Sequence, residues 1–237
     1  MTWVAGADAC KGGWLVVARD TRSGRTTHVL KKTFAEVLAM GESPRIIAVD
    51  IPIGLPEAAR RGGRGCDREA RRLVGARWPS VFSPPVRAAL GAKTWSEANA
   101  VNKASSPEGV GLSRQSWGLV PKITEVDAAL TKDARQRVRE AFPELSFATM
   151  AGRPLQHAKR GVTGIQDRAA LIAEAGFADP LGVRGGWPAS LVAIDDILDA
   201  HACCWTAERI FRGEARHLPA EAPAEHDRRG LAMEIWY

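Results

Sequence analysis

Nothing in the 237-residue sequence is long and apolar enough to span a bilayer. The opening residues, Met1-Thr2-Trp3-Val4-Ala5-Gly6-Ala7-Asp8, hold no basic segment followed by an apolar run. Neither a membrane span nor a secretory leader is expected, and the cytoplasm is the expected setting. Cysteine is scarce. Cys10, Cys66, Cys203 and Cys204 form no C-x-x-C pair, so a zinc ribbon or thioredoxin-like centre has no support. Cys203 and Cys204 lie in an apolar, helix-like stretch and read as buried free thiols. The histidines His28, His157, His201, His217 and His226 are scattered, with no H-E-x-x-H. No G-x-x-x-x-G-K-S/T or G-x-G-x-x-G follows a predicted strand, and no G-x-S-x-G elbow exists. P-loop, dinucleotide-binding and α/β-hydrolase chemistry therefore lack their usual marks.

What is present is ordinary globular material, 45% hydrophobic and 25% charged, read as one domain over residues 1–237. The net charge is +6. Much of the excess is the run Arg60, Arg61, Arg64, Arg68, Arg71, Arg72 and Arg77. Such a run is either a patch that attracts polyanions or a solvated helix face in an arginine-rich chain.

The first hundred residues punctuate themselves. Trp3 to Asp8 reads as a strand ending on an acid, Gly12-Gly13 as a tight turn, and Trp14 to Arg19 as a second strand. Thr21 to Arg25 is turn chemistry, and Thr26 to Lys31 alternates as a third strand. Together they predict an antiparallel meander. Thr33 to Met40 follows helical spacing, with Thr33 and Glu36 as a capping box. Arg45 to Asp50 is a near-continuous apolar run, as a strand buried on both faces should be, and it too ends on an acid. Residues 75–121 are rich in proline, glycine and tryptophan, and 75–135 reads as an insertion suited to covering a site. Helices are predicted at 121–134, 161–176 and 187–213, a strand at 137–142, a linker at 217–229 and a terminal strand at 231–237.

Strand, strand, strand, helix, strand is the opening of a ribonuclease-H-like α/β fold, a mixed sheet flanked by helices. The first and fourth strands then lie parallel and adjacent, which brings Asp8 and Asp50 to the sheet edge where open α/β sheets place their sites. Two close carboxylates repel unless a cation or proton lies between them. Asp195, Asp196 and Asp199 form a second acidic group at helical spacing. A divalent cation would offset their repulsion. So would a helix N-terminus, although a helix starting near Pro188 puts Asp195 two turns in. Glu144 follows the strand predicted at 137–142. It is a turn or cap acid, or a further acid at the same edge.

The chain resembles the domain of unknown function (DUF) 429 family, described as predicted ribonuclease-H-like nucleases. The resemblance rests on Gly6-Ala7-Asp8-Ala9-Cys10-Lys11-Gly12-Gly13-Trp14, Ala48-Val49-Asp50-Ile51-Pro52-Ile53-Gly54-Leu55-Pro56 and Cys66-Asp67 with Ala70-Arg71. It continues through Ser80-Val81-Phe82, Gly111-Leu112-Ser113, Pro121-Lys122-Ile123, Glu125-Val126-Asp127 and Pro143-Glu144 to Asp195-Asp196-Ile197-Leu198-Asp199. Phe142 stands where His-Pro-Glu is expected. The resemblance implies metal-dependent phosphodiester hydrolysis of nucleic acid at a two-metal Mg²⁺ or Mn²⁺ site. Asp8, Asp50, Asp196 and Asp199 would be the ligands and Glu144 a further catalytic acid. Asp195, Glu125 and Asp127 follow as second-tier candidates. Lys122, Arg168 or the arginine run, above all Arg64, Arg68, Arg71 and Arg72, could hold phosphates. Two alternatives stay open: a nucleotide-binding or phosphotransfer protein of actin-like ancestry, and a non-catalytic nucleic-acid-binding module. Tryptophans could stack on bases or fill the core, and Trp3 and Trp14 fall in predicted core strands.

Overall fold

Two tight turns build one half of the sheet. In the computed structural model, which covers residues 1–237, β1 (Trp3–Cys10) pairs antiparallel with β2 (Gly13–Asp20) from Trp3↔Asp20 to Cys10↔Gly13. The turn between them leaves Gly13 at φ 132°, where a Cβ would meet the Lys31 carbonyl at 2.1 Å; only glycine fits there. β3 (Thr26–Lys31) pairs with β2 and completes the meander. β1 runs two residues past Asp8, because its pairing with β2 outlasts its pairing with the next strand.

α1 (Phe34–Leu38) is capped by the Thr33 hydroxyl, which accepts from Glu36 N at 3.3 Å. Glu36 accepts from Lys32 N rather than Thr33 N, so the expected box is displaced by one residue. β4 (Ile47–Val49) is buried on both faces and parallel to β1. α2 (Gly65–Leu73) carries much of the arginine run. Two 3₁₀ turns, Gly75–Ser80 and Arg87–Gly91, lead to α3 (Trp95–Ala104) and α4 (Arg114–Ala129).

α4 starts seven residues before Pro121, the expected start, because Ser113 caps it by accepting from Ser116 N at 3.0 Å. Pro121 lies inside it. Burial of Val120, Ile123 and Val126 outweighs the missing backbone hydrogen bond. Ile123 and Val126 share a core with Trp3, Trp14 and Phe34, so α4 is a structural layer of the sheet. The expected insertion at 75–135 therefore narrows to about 75–113, a segment packed around its own small apolar cluster of Val86, Ala89, Ala98 and Leu112.

α5 (Ala134–Arg137) takes the start of the strand predicted at 137–142, leaving β5 as Val138–Glu140, parallel to β4. α6 (Pro143–Met150) and α7 (Val162–Glu174) follow. α8 (Ile194–Arg212) begins seven residues later than the predicted helix, and Leu191, expected on its apolar stripe, lies outside it and is partly exposed. It ends at Gly213, whose φ of 73° closes the helix in the left-handed region. The expected linker contains β6 (His217–Leu218), which pairs with β7 (Ile235–Trp236). The terminal strand is thus much shorter than its pattern, though Trp236 bridges to Ala141 beside β5.

The five-stranded sheet has the order β3-β2-β1-β4-β5, with helices on both faces. This is the ribonuclease-H-like arrangement. α8 lies against β1 almost backbone to backbone: a Cβ at Gly6 would sit 2.0 Å from Cys204 N and 2.3 Å from Ala200 O. No helix is long and apolar enough to cross a membrane. Gly6→Ala should cost about 3 kcal/mol or more, because a whole helix must retreat from the strand. Thermal unfolding checks this: a Tm loss of roughly 10 °C, or insoluble protein, is expected, and an unchanged Tm would refute the close contact.

Candidate active site

Three parallel strands end side by side. Ala7 pairs with Val49 and Val49 with Glu140. Asp8 and Asp50 are the next residues on β1 and after β4, and Asp50 N donates to Ala7 O at 3.1 Å. From one face α8 adds Asp195, Asp196 and Asp199, and α6 adds Glu144 in its first turn. With Asp67 of α2, eight carboxylates line one cavity of about 340 Å³, with Lys159, Arg160 and Arg64 as its cations and Ile235 of β7 in its wall. Phe142, where a histidine was expected, caps α6 and lines the same cavity.

The acids divide by how their charge is met. Glu140 and Glu144 are each gripped by a buried guanidinium. Arg64 reaches both Glu140 oxygens at 2.5 and 2.7 Å and also chelates Asp67. Glu140 further accepts from Ile53 N at 2.6 Å. Even so, burial pushes its carboxyl up to about 7, against the pull of Arg64. Arg168 holds Glu144 through both oxygens at 2.7 and 2.8 Å. These are bidentate, charge-assisted pairs.

Asp8, Asp50 and Asp199 have less. Burial first, then repulsion from Asp50 and Asp199, raises the Asp8 carboxyl well above its usual range. Burial and the charge of Asp199 carry Asp50 to about 8, despite the pull of Lys159. Asp199 is raised by burial, with Lys159 opposing. The Lys159 Nζ lies 2.5 Å from Asp199 Oδ2 and 3.9 Å from Asp195 Oδ2. Burial opposes the charge on Lys159, but Asp199, Asp8 and Asp50 together hold it firmly protonated. Arg160 Nε donates to Asp195 Oδ2 at 2.9 Å. As the side chains stand, no three His, Cys, Asp or Glu groups close on a common point as metal ligands.

Asp195 and Asp196 lie in the first turn of α8, not two turns in. Asp196 accepts from Ala193 N at 2.8 Å, so it does the work of an N-terminal cap. Burial raises its carboxyl to about 6, and that backbone N–H opposes the rise.

Several expected site residues lie elsewhere. Glu125 accepts from Trp14 Nε1 at 3.0 Å, from Phe34 N and from Lys122, tying α4 to the meander. Lys122 also sits over the Trp14 ring at 4.6 Å. Asp127 pairs with Arg87 and Arg229. None of these three lines the cavity. Arg168, expected to face phosphate, is wholly buried and reaches the cavity only through Glu144. Arg64 is likewise buried and committed to Asp67 and Glu140, which removes it from any exposed basic patch. Arg68 donates to Gly63 O, and Arg71 to Gly62 O, Val81 O and Ser83 Oγ.

Sequence reasoning missed Glu140, Lys159 and Arg160. Glu140 had a usable signal, as an acid ending a strand parallel to two others that end on acids. Lys159 and Arg160 lie in an irregular loop whose sequence has no periodicity to read.

Acids gathered at the end of a β3-β2-β1-β4-β5 sheet define the class: a ribonuclease-H-like α/β protein. Residues 6–224 match the family described as "Protein of unknown function (DUF429)", and the chain belongs to that family. No curated protein and no solved structure matches it.

Folded Asp50 titrates near 8, whereas an unfolded aspartate titrates near about 3.9. The folded state therefore holds the extra proton between those values, and stability falls as pH rises from about 4 to 8. In metal-free buffer Asp50→Asn should raise Tm at pH 8 by roughly 5 °C and change it little at pH 4. Calorimetry at both pH values checks this; a loss of stability at pH 8 would show that the charged Asp50 is a net stabiliser.

Proposed function

We propose that the chain is a metal-dependent phosphodiester hydrolase acting on nucleic acid. The observation that carries this reading is the convergence of Asp8, Asp50 and Asp199 in one cavity, Asp8 and Asp199 buried and Asp50 half-buried, mutually repelling, and met by a single lysine. Buried like charges of this kind are costly unless they serve a cation. Their donor chemistry fits a hard divalent ion, for which carboxylate oxygens are the preferred ligands. Asp8, Asp50, Asp196 and Asp199 would hold Mg²⁺ or Mn²⁺, in a two-metal arrangement where both are bound. Bound there, the metal supplies water activation and charge stabilisation at the leaving oxygen.

The protein's own contribution is positioning and charge. Lys159 holds Asp199 and adds a fixed positive charge where an anionic phosphate would enter. Arg64 and Arg168 lock Glu140 and Glu144, keeping the cavity wall rigid as the reacting group is oriented. Desolvation raises the Asp8 and Asp50 carboxyls, so cation binding, which needs them ionised, is coupled to proton release. A nucleic-acid partner belongs to this reading, as does a cytoplasmic setting in which the free thiols of Cys66, Cys203 and Cys204 stay reduced.

The test is a panel of single-stranded, duplex, hybrid and branched DNA and RNA with Mg²⁺ or Mn²⁺. Wild-type cleavage that depends on metal, with a loss of roughly 100-fold or more in Asp8→Asn, is expected. Cleavage that survives Asp8→Asn would sink the assignment. Saturable nucleotide binding with no cleavage would favour the phosphotransfer alternative.

A further inference from the structure

A second cavity of about 300 Å³ adjoins the acidic one, and Val81 and Phe82 line both. The segment between them is a ridge built on the 3₁₀ turn Gly75–Ser80. Its backbone is pinned. Arg71 donates to Val81 O at 2.7 Å and to Ser83 Oγ at 3.0 Å, Ser80 Oγ donates to Arg77 O at 2.7 Å, and Arg77 reaches toward Glu144 at 3.7 Å. Its aromatic rings are not. Trp78 is 57% exposed and Phe82 39%. A fixed backbone presenting bare aromatic faces is costly in water and suits flat ligands that stack.

The charge beside the ridge has the matching sign. Arg60 and Arg61 are paired with Glu225 and Glu108, and Arg64 is buried. Arg68 and Arg71 donate only to neutral oxygens, and Arg72 lies exposed in the last turn of α2. These three guanidinium groups have no carboxylate ion pair. Arg71 reaches the ridge and lines the second cavity, and Arg68 and Arg72 flank it at helical spacing on α2. Positive charge thus lies next to stacking rings, which is the pairing that tracks a single-stranded polynucleotide.

Depth decides between a paired and an unpaired strand. Among the candidate ligands Asp8 and Asp199 are no more than 7% exposed and Asp50 and Asp196 are half-buried, so the acids lie in a recess rather than on an open face. A duplex presents its phosphates on a stiff surface and meets only the rim of such a recess. An unpaired strand can bend a phosphate down to the acids while its neighbouring bases lie on the ridge.

We propose that the second cavity and the Trp78–Phe82 ridge bind the unpaired nucleotides flanking the reacting phosphate, so that the substrate is single-stranded nucleic acid. Bases stack on Trp78 and Phe82, and Arg68, Arg71 and Arg72 draw in the backbone. The proposal rests on the nuclease reading only for where the reacting phosphate lies.

Binding tests it without chemistry. Fluorescence anisotropy would follow an end-labelled oligonucleotide of roughly 12 residues, single-stranded or in a duplex of the same sequence, in EDTA and again in Ca²⁺. Single strands should bind at least tenfold tighter than the duplex. Trp78→Ala should weaken single-strand binding about tenfold, and Trp78→Phe should recover most of it. Arg72→Gln should lower the slope of log affinity against log salt by about one. Both side chains are exposed, and circular dichroism would confirm that the variants fold. Equal affinity for duplex, or an unchanged Trp78→Ala variant, would overturn the proposal. So would a failure to bind any oligonucleotide, which would leave the ridge as a protein-facing surface. Tight, Trp78-dependent binding with no cleavage under any metal would defeat the hydrolase reading and leave this one standing.

Discussion

The contact of α8 with β1 sets the geometry of everything at the acidic edge. A strand and a helix normally keep a layer of side chains between them. At Gly6 that layer is missing, and the backbone around Ala200 and Cys204 closes the gap. Close packing of this kind fixes the axial position of the helix as well as its distance. Asp199 precedes Ala200 by one residue, and Asp8 follows Gly6 by two. The glycine therefore determines which acids of α8 face which acids of the strands. Small residues along the helix, Ala200, Ala202, Cys203, Cys204 and Ala207, all fully buried, maintain the approach.

On this frame the site is divided electrostatically. Each glutamate has a planar, buried guanidinium, Arg64 gripping Glu140 through two nitrogens and Arg168 spanning both oxygens of Glu144 through one, and that pairing makes wall rather than reagent. Asp8, Asp50 and Asp199 share one ammonium, that of Lys159, on a loop. A guanidinium is always charged and holds its partner rigidly, whereas a lysine is a point charge on a mobile stem. The glutamates therefore have little freedom to exchange partners, and the aspartates have much. The protein spends arginine on architecture and lysine on the place where charge must rearrange.

The sequence made the meander and the first parallel strand legible, because alternation, glycine turns and a continuous apolar run each specify their element locally. Asp8 and Asp50 followed from that topology. Longer-range choices were not legible. Pro121 suggested a helix start, but burial of Val120, Ile123 and Val126 carries the helix through it. Pro188 suggested the start of α8, but backbone turns at Pro188–Val192 delay it to Ile194. A strand is expected at 137–142, but β5 stops at Glu140, so Glu144 rather than Glu140 reads as its edge acid from the sequence alone. Basic residues were the hardest. Arginines of one run, such as Arg64 and Arg72, end in opposite environments, and only their tertiary partners separate them.

One feature at the far end of the chain bears on synthesis. Ile235 and Asp8 line the same cavity, so the site joins segments far apart in the sequence. β7 is held there by β6 and by a single bridge to Ala141. Once β5 and α8 have been made, the sheet and its acids can come together before β7 covers that side. A nascent chain therefore carries an unfinished pocket, closed only when β7 emerges and docks. Substitutions in β7 would act on the pocket wall, whereas those at Trp3 lie at the opposite end of β1 from Asp8.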